Sequence, residues 1–486
     1  MGIEKILKTK WEYEWERKLN FFIADNISFA FSSIGSQFVY PLKNILLVGL
    51  GNHTARLYYN KDEIDNNSKR SLDRFINKKL LRSWIKECLK DNDRLKKYIF
   101  KFLINYDFSL LSNKELLGVF NEYYSIYTKS VRHIIIPRVL NRELQRRLQF
   151  YFFSDFKQQD KAAEVLNILT TSDRLSFDTL EKIKFFKLSD KIRKNRIKDY
   201  GKLLDAHVRK YAFIPVGYLD EKEWDRKYFE NRLDEILVSK IDTRSYVNRI
   251  LSNNRSLRER KRQLIRRYGI PKNIVYICNI VAWGAYFKDL IRERLNMGHY
   301  YSQPLFYEIA ARTGHSFKEV KSLGLEDMRG LIMGQSNFES LINKRKGPYV
   351  IWMDNKKVTK IHDQIFVNKI IKYVKSKEKA DCVAGIGVSL GKAEGRVSII
   401  KKQSDKITGE NSVLITTMTT PELVAQMKKV VAVVTDEGGM TCHAAIISRE
   451  LGIPCIVGTK IATQVFKDGD LVEVDANNGI VRKVNR

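Results

Sequence analysis

Apolar residues recur at three- and four-residue steps through most of the first 370 positions, whereas beyond about 380 they gather in short β-branched runs. LNRELQRRLQFYFF from Leu140 and KNIVYICNIVAWGAYFKDLIRERL from Lys272 carry the helical period. That spacing lines one side of a helix with apolar groups for a core. Prolines are sparse here (Pro41, Pro137, Pro215, Pro271, Pro304, Pro348), leaving long stretches free of the residue that breaks helices. HSFKEVKSL from His315 sets Ser316 three residues before Glu319, the spacing of a capping box, and predicts a short helix. GPYVIWMDNKKVTKI from Gly347 differs: apolar, β-branched runs flank Asp354-Asn355 and predict a β-hairpin.

KYVKSKEKADC from Lys372 is polar and charged, and we read it as a hinge or connecting helix. Beyond it GIGVSLGKAEGRVSII, SVLITTM, VVAVVT, IPCIVG, DLVEVDA and GIVRKV read as short strands between turns, with TPELVAQMKK and CHAAIISREL as the helices among them. The expected fold is multidomain: a mostly α-helical N-terminal region (1–370), a hinge (371–381) and a compact α/β domain (382–486), an ordinary domain size. We find no internal repeat.

Composition narrows the class. At 486 residues, two or three domains are expected, and 44% apolar with 29% charged residues describes a globular chain. The longest apolar run, Ile274 to Phe287, is interrupted by Asn279. It falls short of the roughly 20 residues of a membrane span and predicts a buried core helix. Met1 to Lys10 lacks the apolar core of a secretion signal. Five cysteines without CxxC spacing predict a reduced, cytoplasmic protein and no metal site. The formal charge is +31, of which residues 380–486 hold only +1, so the front of the chain carries +30. We read this surplus as solvated helix faces. NNRSLRERKRQLIRRY from Asn253 has basic residues on all sides and little aromatic interleaving, which predicts a solvated or partner-facing helix rather than a nucleic-acid interface.

The stretch TDEGGMTCHAAIISR, residues 435–449, carries the chemistry. Thr441 is a suitable N-cap, and Gly452 followed by Pro454 marks a helix end, so a helix is expected over about 442–451. His443 then falls in its first turn, beside backbone N–H groups with no intrahelical partner and at the positive end of the helix dipole. A phosphoryl group is well held there. Gly438 and Gly439 clear the loop of side chains, so a phosphate-bearing surface can approach closely. Imidazole is largely unprotonated near neutral pH and is a competent nucleophile. The reading is a histidine that takes up and passes on a phosphoryl group. A lone histidine at a helix end usually caps or packs, but here the neighbours point elsewhere.

GGMTCHAAIISR resembles the phosphohistidine signature of the PEP-utilising enzymes, such as phosphoenolpyruvate synthase, pyruvate phosphate dikinase, enzyme I and rifampin phosphotransferase. TTMTTPELVAQMKK, VVAVVTDEGG, RELGIPCIVGT and DGDLVEVDANNGIV resemble the rest of that family's swivelling domain. The resemblance implies that His443 is phosphorylated, with Gly438, Gly439, Thr441 and Arg449 at matching signature positions. Cys442 beside them reads as a small helix-start residue. Arg449 falls about 120° around the helix from His443, open to a phosphate contact in a docked complex or to a carboxylate neighbour. One departure is Leu390, where relatives commonly have proline.

Nothing in 1–370 resembles the family's ATP-grasp domain, and we find neither a Walker loop nor the family's pyruvate-handling barrel. ATP and Mg²⁺ are therefore expected through a separate ATP-grasp partner, as in the divided subunits of phenylphosphate synthase. The segment RERLNMGHYYSQPLFYEIAARTGHSFKEVKSLGLEDM resembles the helical region of rifampin phosphotransferase, which implies an acceptor pocket for an unidentified small molecule among these helices. His299 and His315 lie there but read as ordinary surface or helix-end residues. The competing reading is a non-catalytic protein whose phosphohistidine state governs binding.

Overall fold

The computed structural model describes residues 2–19, 21–25, 38–51, 53–104, 106–195, 197, 199–217, 222–238, 242–335, 338–355, 357–377, 382–400, 405–407, 409, 411–419, 423–439 and 442–484. Its N-terminal region is mostly helical, and it also holds a five-stranded antiparallel sheet that the helical period did not disclose. The strands are β1 (Trp11–Lys18), β2 (Asn44–Gly49), β3 (Thr54–Asn60), β4 (Tyr349–Asp354) and β5 (Lys357–Ile361), in the order β1-β3-β2-β4-β5. β2 is buried along almost its whole length, and periodicity cannot separate a short, wholly buried strand from a buried helix turn. The expected hairpin is β4–β5, turned through Asn355 in a left-handed conformation (φ 46°). Its first strand pairs with β2 inside the sheet, and its second forms the sheet's edge.

The helices α1 (Ile135–Phe150), α2 (Thr243–Tyr268) and α3 (Lys272–Tyr301) bear on function. α1 sends Leu140, Leu144 and Leu148 into the core, a four-residue spacing that keeps them on one face. α3 is the helix predicted from the apolar run, with Phe287 and Ile291 wholly buried. The helical run Lys272–Thr313 is long and apolar enough to cross a membrane, yet half of its most apolar window is buried inside the protein. The capping box at Ser316 and Glu319 forms as expected and opens Phe317–Val320.

Helix α4 (Gln364–Lys377) takes up the first part of the stretch read as a hinge, and 378–381 lie outside the described residues. Val367, Ile370 and Val374 of α4 pack with Leu46, Val48, Val350 and Trp352 of the five-stranded sheet, so this helix belongs to the N-terminal body.

From Cys382 onward the chain is α/β. The strands are β6 (Cys382–Ala384), β7 (Ile386–Ser389), β8 (Lys392–Ile400), β9 (Ser412–Thr416), β10 (Val430–Thr435), β11 (Cys455–Val457), β12 (Leu471–Asp475) and β13 (Ile480–Lys483). They form one mixed sheet in the order β6-β13-β12-β8-β9-β10-β11-β7, with β8, β9, β10 and β11 parallel. Central residues alternate between two packing faces. Val413, Ile415, Ala432, Val434 and Ile456 face one cluster, while Leu414, Val433, Cys455 and Val457 face the side that carries α5 (His443–Leu451). A period of two with both faces covered makes the strands read as unbroken apolar runs.

Candidate functional site

The site lies where the parallel strands β9, β10 and β11 end, at the carboxyl edge where open α/β sheets gather their chemistry. Backbone bonds tie the loop after β10 to both neighbouring strand ends. Asp436 and Glu437 N–H donate to the Thr416 and Thr417 carbonyls at 3.0 and 2.8 Å, and Lys460 N–H donates to the Asp436 carbonyl at 2.9 Å. The Asp436 carboxylate is buried and accepts from Thr459 Oγ1 at 3.1 Å, Thr463 N–H at 3.2 Å and the Thr463 hydroxyl. Burial raises its pKa, and these donors pull the other way. The loop that delivers the glycine pair is thus held from three sides.

Gly438 sits at φ 127°, and a Cβ there would lie 2.8 Å from Cys442 Sγ, so no other residue fits without displacing the helix start. Thr441, expected as N-cap, lies outside the described residues. The N-cap is Cys442, in extended backbone (ψ 166°) and without a side-chain capping bond, so α5 begins one residue later than expected. His443 becomes the first helical residue, in the ring of unpaired N–H groups. The other end behaves as expected: Gly452 closes α5 in the left-handed region (φ 67°).

His443 is half-buried, and its Nδ1 is 2.9 Å from Thr419 Oγ1. This contact fixes the ring and leaves Nε2 as the nitrogen turned away from the anchoring bond. When Nδ1–H donates to Thr419, Nε2 keeps its lone pair and is the nucleophilic atom. Sequence reasoning missed Thr419. It sits within the TTMTTPEL motif, but nothing local links it to a histidine 24 positions on.

Among the described residues, Arg449 has a different partner. It is directed at β7, donating from Nε to the Val388 carbonyl at 2.6 Å, and burial lowers its pKa. Of the two expected partners, phosphate or carboxylate, the structure puts a backbone carbonyl in its hydrogen-bond shell. His299 is buried rather than superficial, with Nε2 at 2.7 Å from Tyr127 Oη and Nδ1 at 2.8 Å from the Gly217 carbonyl. His315 follows a helix end and lines a cavity of about 390 Å³ with Arg312, Thr313, Gln335 and Glu339. In the helical body Glu87, Asp91 and His133 bring their ligand atoms within 4.8 Å of one another, but the Arg132 guanidinium already bonds both carboxylates, at 2.7 and 3.1 Å.

The histidine loop is docked on the N-terminal body. Arg138, Arg142, Gln145 and Gln149 share one face of α1, at four- and three-residue steps. A Cβ on Gly439 would lie 3.1 Å from Gln145 Nε2, and Gln149 Nε2 is 3.5 Å from the Gly387 carbonyl. Beside them Lys460, at φ 70°, reaches Glu12 at 2.8 Å and Glu14 at 3.1 Å on β1. Arg142 also pairs with Glu12, and Arg138 stands 3.8 Å from Glu14. Burial pushes the Glu12 carboxyl up, but Lys460 and Arg142 outweigh it and hold the group at about 2. No pattern in the sequence pairs Lys460 with residues more than four hundred positions away.

The pattern of the PEP-utilising enzyme mobile domain matches residues 408–479. A probable phosphoenolpyruvate synthase of Archaeoglobus fulgidus is 58% identical over 99 residues, 20% of this chain and 13% of that protein. Its counterpart in Methanothermobacter thermautotrophicus is 53% identical over 110 residues, 22% of this chain and 16% of that protein. The matched segment is thus a small part of either relative. Among solved structures, a solution structure of an Enzyme I protein aligns with 67% of this chain and 81% of that chain at 17% identity, with a TM-score of 0.16.

Proposed function

Residues 408–479 are a PEP-utilising enzyme mobile domain, and from that premise we propose that the chain is the phosphotransfer component of a divided ATP-dependent phosphotransferase. The observation that carries the reading is His443 at the first position of α5 with Nδ1 bonded to Thr419 at 2.9 Å. In the first half-reaction the Nε2 lone pair attacks the phosphorus of a nucleotide held by an ATP-grasp partner with Mg²⁺. A P–O bond breaks as the N–P bond forms. In the second, a nucleophilic atom of the acceptor attacks that phosphorus, the N–P bond breaks and Nε2 regains its lone pair. The N–H groups opening α5 steady the transferred oxygens.

The histidine must come within about 3–3.5 Å of the reacting atom at each station, so the C-terminal domain has to leave the α1 face and return to it. The mobile domain's near-neutral charge of about +1 suits repeated departure from a body of +30. What supports an acceptor site in the helical body is the cavity at His315, Arg312 and Gln335, large enough for a small organic molecule.

The test is labelled ATP with the candidate ATP-grasp protein and this chain. The expected result is an acid-labile, alkali-stable label on the peptide containing His443, absent in His443→Ala. Label persisting in that variant would sink the assignment. A clean transfer to His443 with no acceptor consumed in the presence of cell metabolites would favour the regulatory reading.

A further inference from the structure

Two sequence features left without a role meet at one place. Asn279 breaks the apolar run of α3, and the basic stretch from Asn253 forms the middle and end of α2, which carries eight arginines and a lysine against one glutamate. Asn279 lines a cavity of about 290 Å³ between α3, α2 and the loop that follows the helix Gln159–Thr170. Arg258, Lys261 and Arg262 border it from α2, and Arg174 from the loop. Asp173 is the one carboxylate in the lining.

We propose that this cavity binds a small phosphate-class oxyanion, inorganic phosphate or pyrophosphate. Four cations line the wall with one carboxylate, and Glu259 neighbours Arg262, so the formal surplus is two and a singly charged carboxylate ligand would leave half of it uncompensated. Asp173 is engaged by Arg258, and Glu259 stands 3.5 Å from Arg262, so these two cations have carboxylate neighbours. Arg174 and Lys261 have none within salt-bridge distance among the described residues. Arg174 lies over the rings of Trp283 and Tyr286, at 4.8 and 5.2 Å, which holds its guanidinium, a group suited to bidentate oxyanion bonds, at the cavity. Lys261 donates to the Thr171 carbonyl at 2.6 Å. Burial lowers its pKa, and a bound anion would reverse that cost. The Asn279 amide, one turn from Trp283 on α3, adds a neutral donor to the lining. A solvated basic helix would spread its charges along the axis. Here cations from two separate elements converge on a concavity that also holds an aromatic ring and an amide.

The proposal does not depend on the fate of His443. Calorimetry of the full chain with inorganic pyrophosphate, inorganic phosphate and a single-stranded oligonucleotide tests it, at two salt concentrations. Expected is saturable one-to-one binding of phosphate or pyrophosphate, weakened at least tenfold in Arg174→Gln and in Lys261→Gln. Arg260→Gln, an exposed arginine of the same helix outside the cavity, should leave it unchanged. Circular dichroism identifies any variant that fails to fold, and Asn279→Ala, on an exposed position of α3, supplies a further variant expected to weaken binding. Absence of saturable binding would overturn the proposal. So would an equal loss in Arg260→Gln, or tight binding of the oligonucleotide alone, since either means diffuse attraction to the whole basic helix.

Discussion

Replacing Lys460 with alanine should loosen the histidine domain from its dock without unfolding either part. Lys460 is the cation that the C-terminal domain inserts between Glu12 and Glu14, at 2.8 and 3.1 Å. In the docked state burial opposes ionisation of Glu12, yet Lys460 and Arg142 bring it from 4.5 to about 2, a differential of ~3 kcal/mol. Arg142 remains in the variant, and the Glu12 and Lys460 side chains keep 23% and 27% exposure. Lys460 is therefore assigned about half of that differential, ~1.5 kcal/mol, a roughly tenfold fall in the docked-to-undocked ratio. Native-state hydrogen exchange reads this directly. Amides of residues 436–439, which include the Gly439 position covered by Gln145, should exchange about tenfold faster in Lys460→Ala. The rise should be absent when Lys460→Ala is made in a Glu12→Gln/Glu14→Gln background, because the pairs are already gone. The sign with pH follows from the depressed carboxyl pKa. The contribution is fully present above the undocked carboxyl pKa, which Arg142 still depresses, and is lost as pH falls toward 2, so acid should loosen the wild-type dock and leave Lys460→Ala less affected. An unchanged exchange rate, or equal acceleration in both backgrounds, would refute the latch.

Thr419→Val should slow phosphorylation of His443 by about five- to tenfold, the cost of one hydrogen bond of ~1 kcal/mol, with the circular dichroism spectrum unchanged; an unaltered rate would mean that the Nδ1 contact does not set the reactive tautomer. Gly438→Ala forces a Cβ to 2.8 Å from Cys442 Sγ at a φ of 127°, so local stability should drop by about 2 kcal/mol, seen as faster exchange in residues 430–439 and 442–445. His299→Phe removes the bonds to the Tyr127 hydroxyl and the Gly217 carbonyl and should destabilise the helical body by about 2 kcal/mol in chemical unfolding, while label transfer to His443 persists below the transition. Loss of labelling in that folded variant would place His299 in the chemistry.

The elements beyond Cys382 were legible because their signals are local. VVAVVT, SVLIT and LVEVD become strands, and HAAIISREL between a glycine pair and Gly452 becomes a helix, since turn residues and β-branched runs specify these choices within a few positions. The placement of His443 was legible for the same reason: a glycine pair before it and Gly452 after it mark a helix whose first turn holds the imidazole beside N–H groups with no intrahelical partner. The capping box at Ser316 and the long core helix at Lys272 were equally local. The five-stranded sheet escaped, because Asn44–Gly49 is buried on both faces and finds its partners in Tyr349–Asp354, some three hundred residues on. Thr419 on His443, Arg449 on the Val388 carbonyl, Lys460 between Glu12 and Glu14, and Arg174 facing Lys261 across a cavity all needed the folded chain. Secondary structure follows from backbone preferences and side-chain periods a few residues long, which a sequence displays. The orientation of the His443 ring, the neighbours of a charge and the docking of one domain on another depend on atoms brought together from distant positions, and only the tertiary structure decides them.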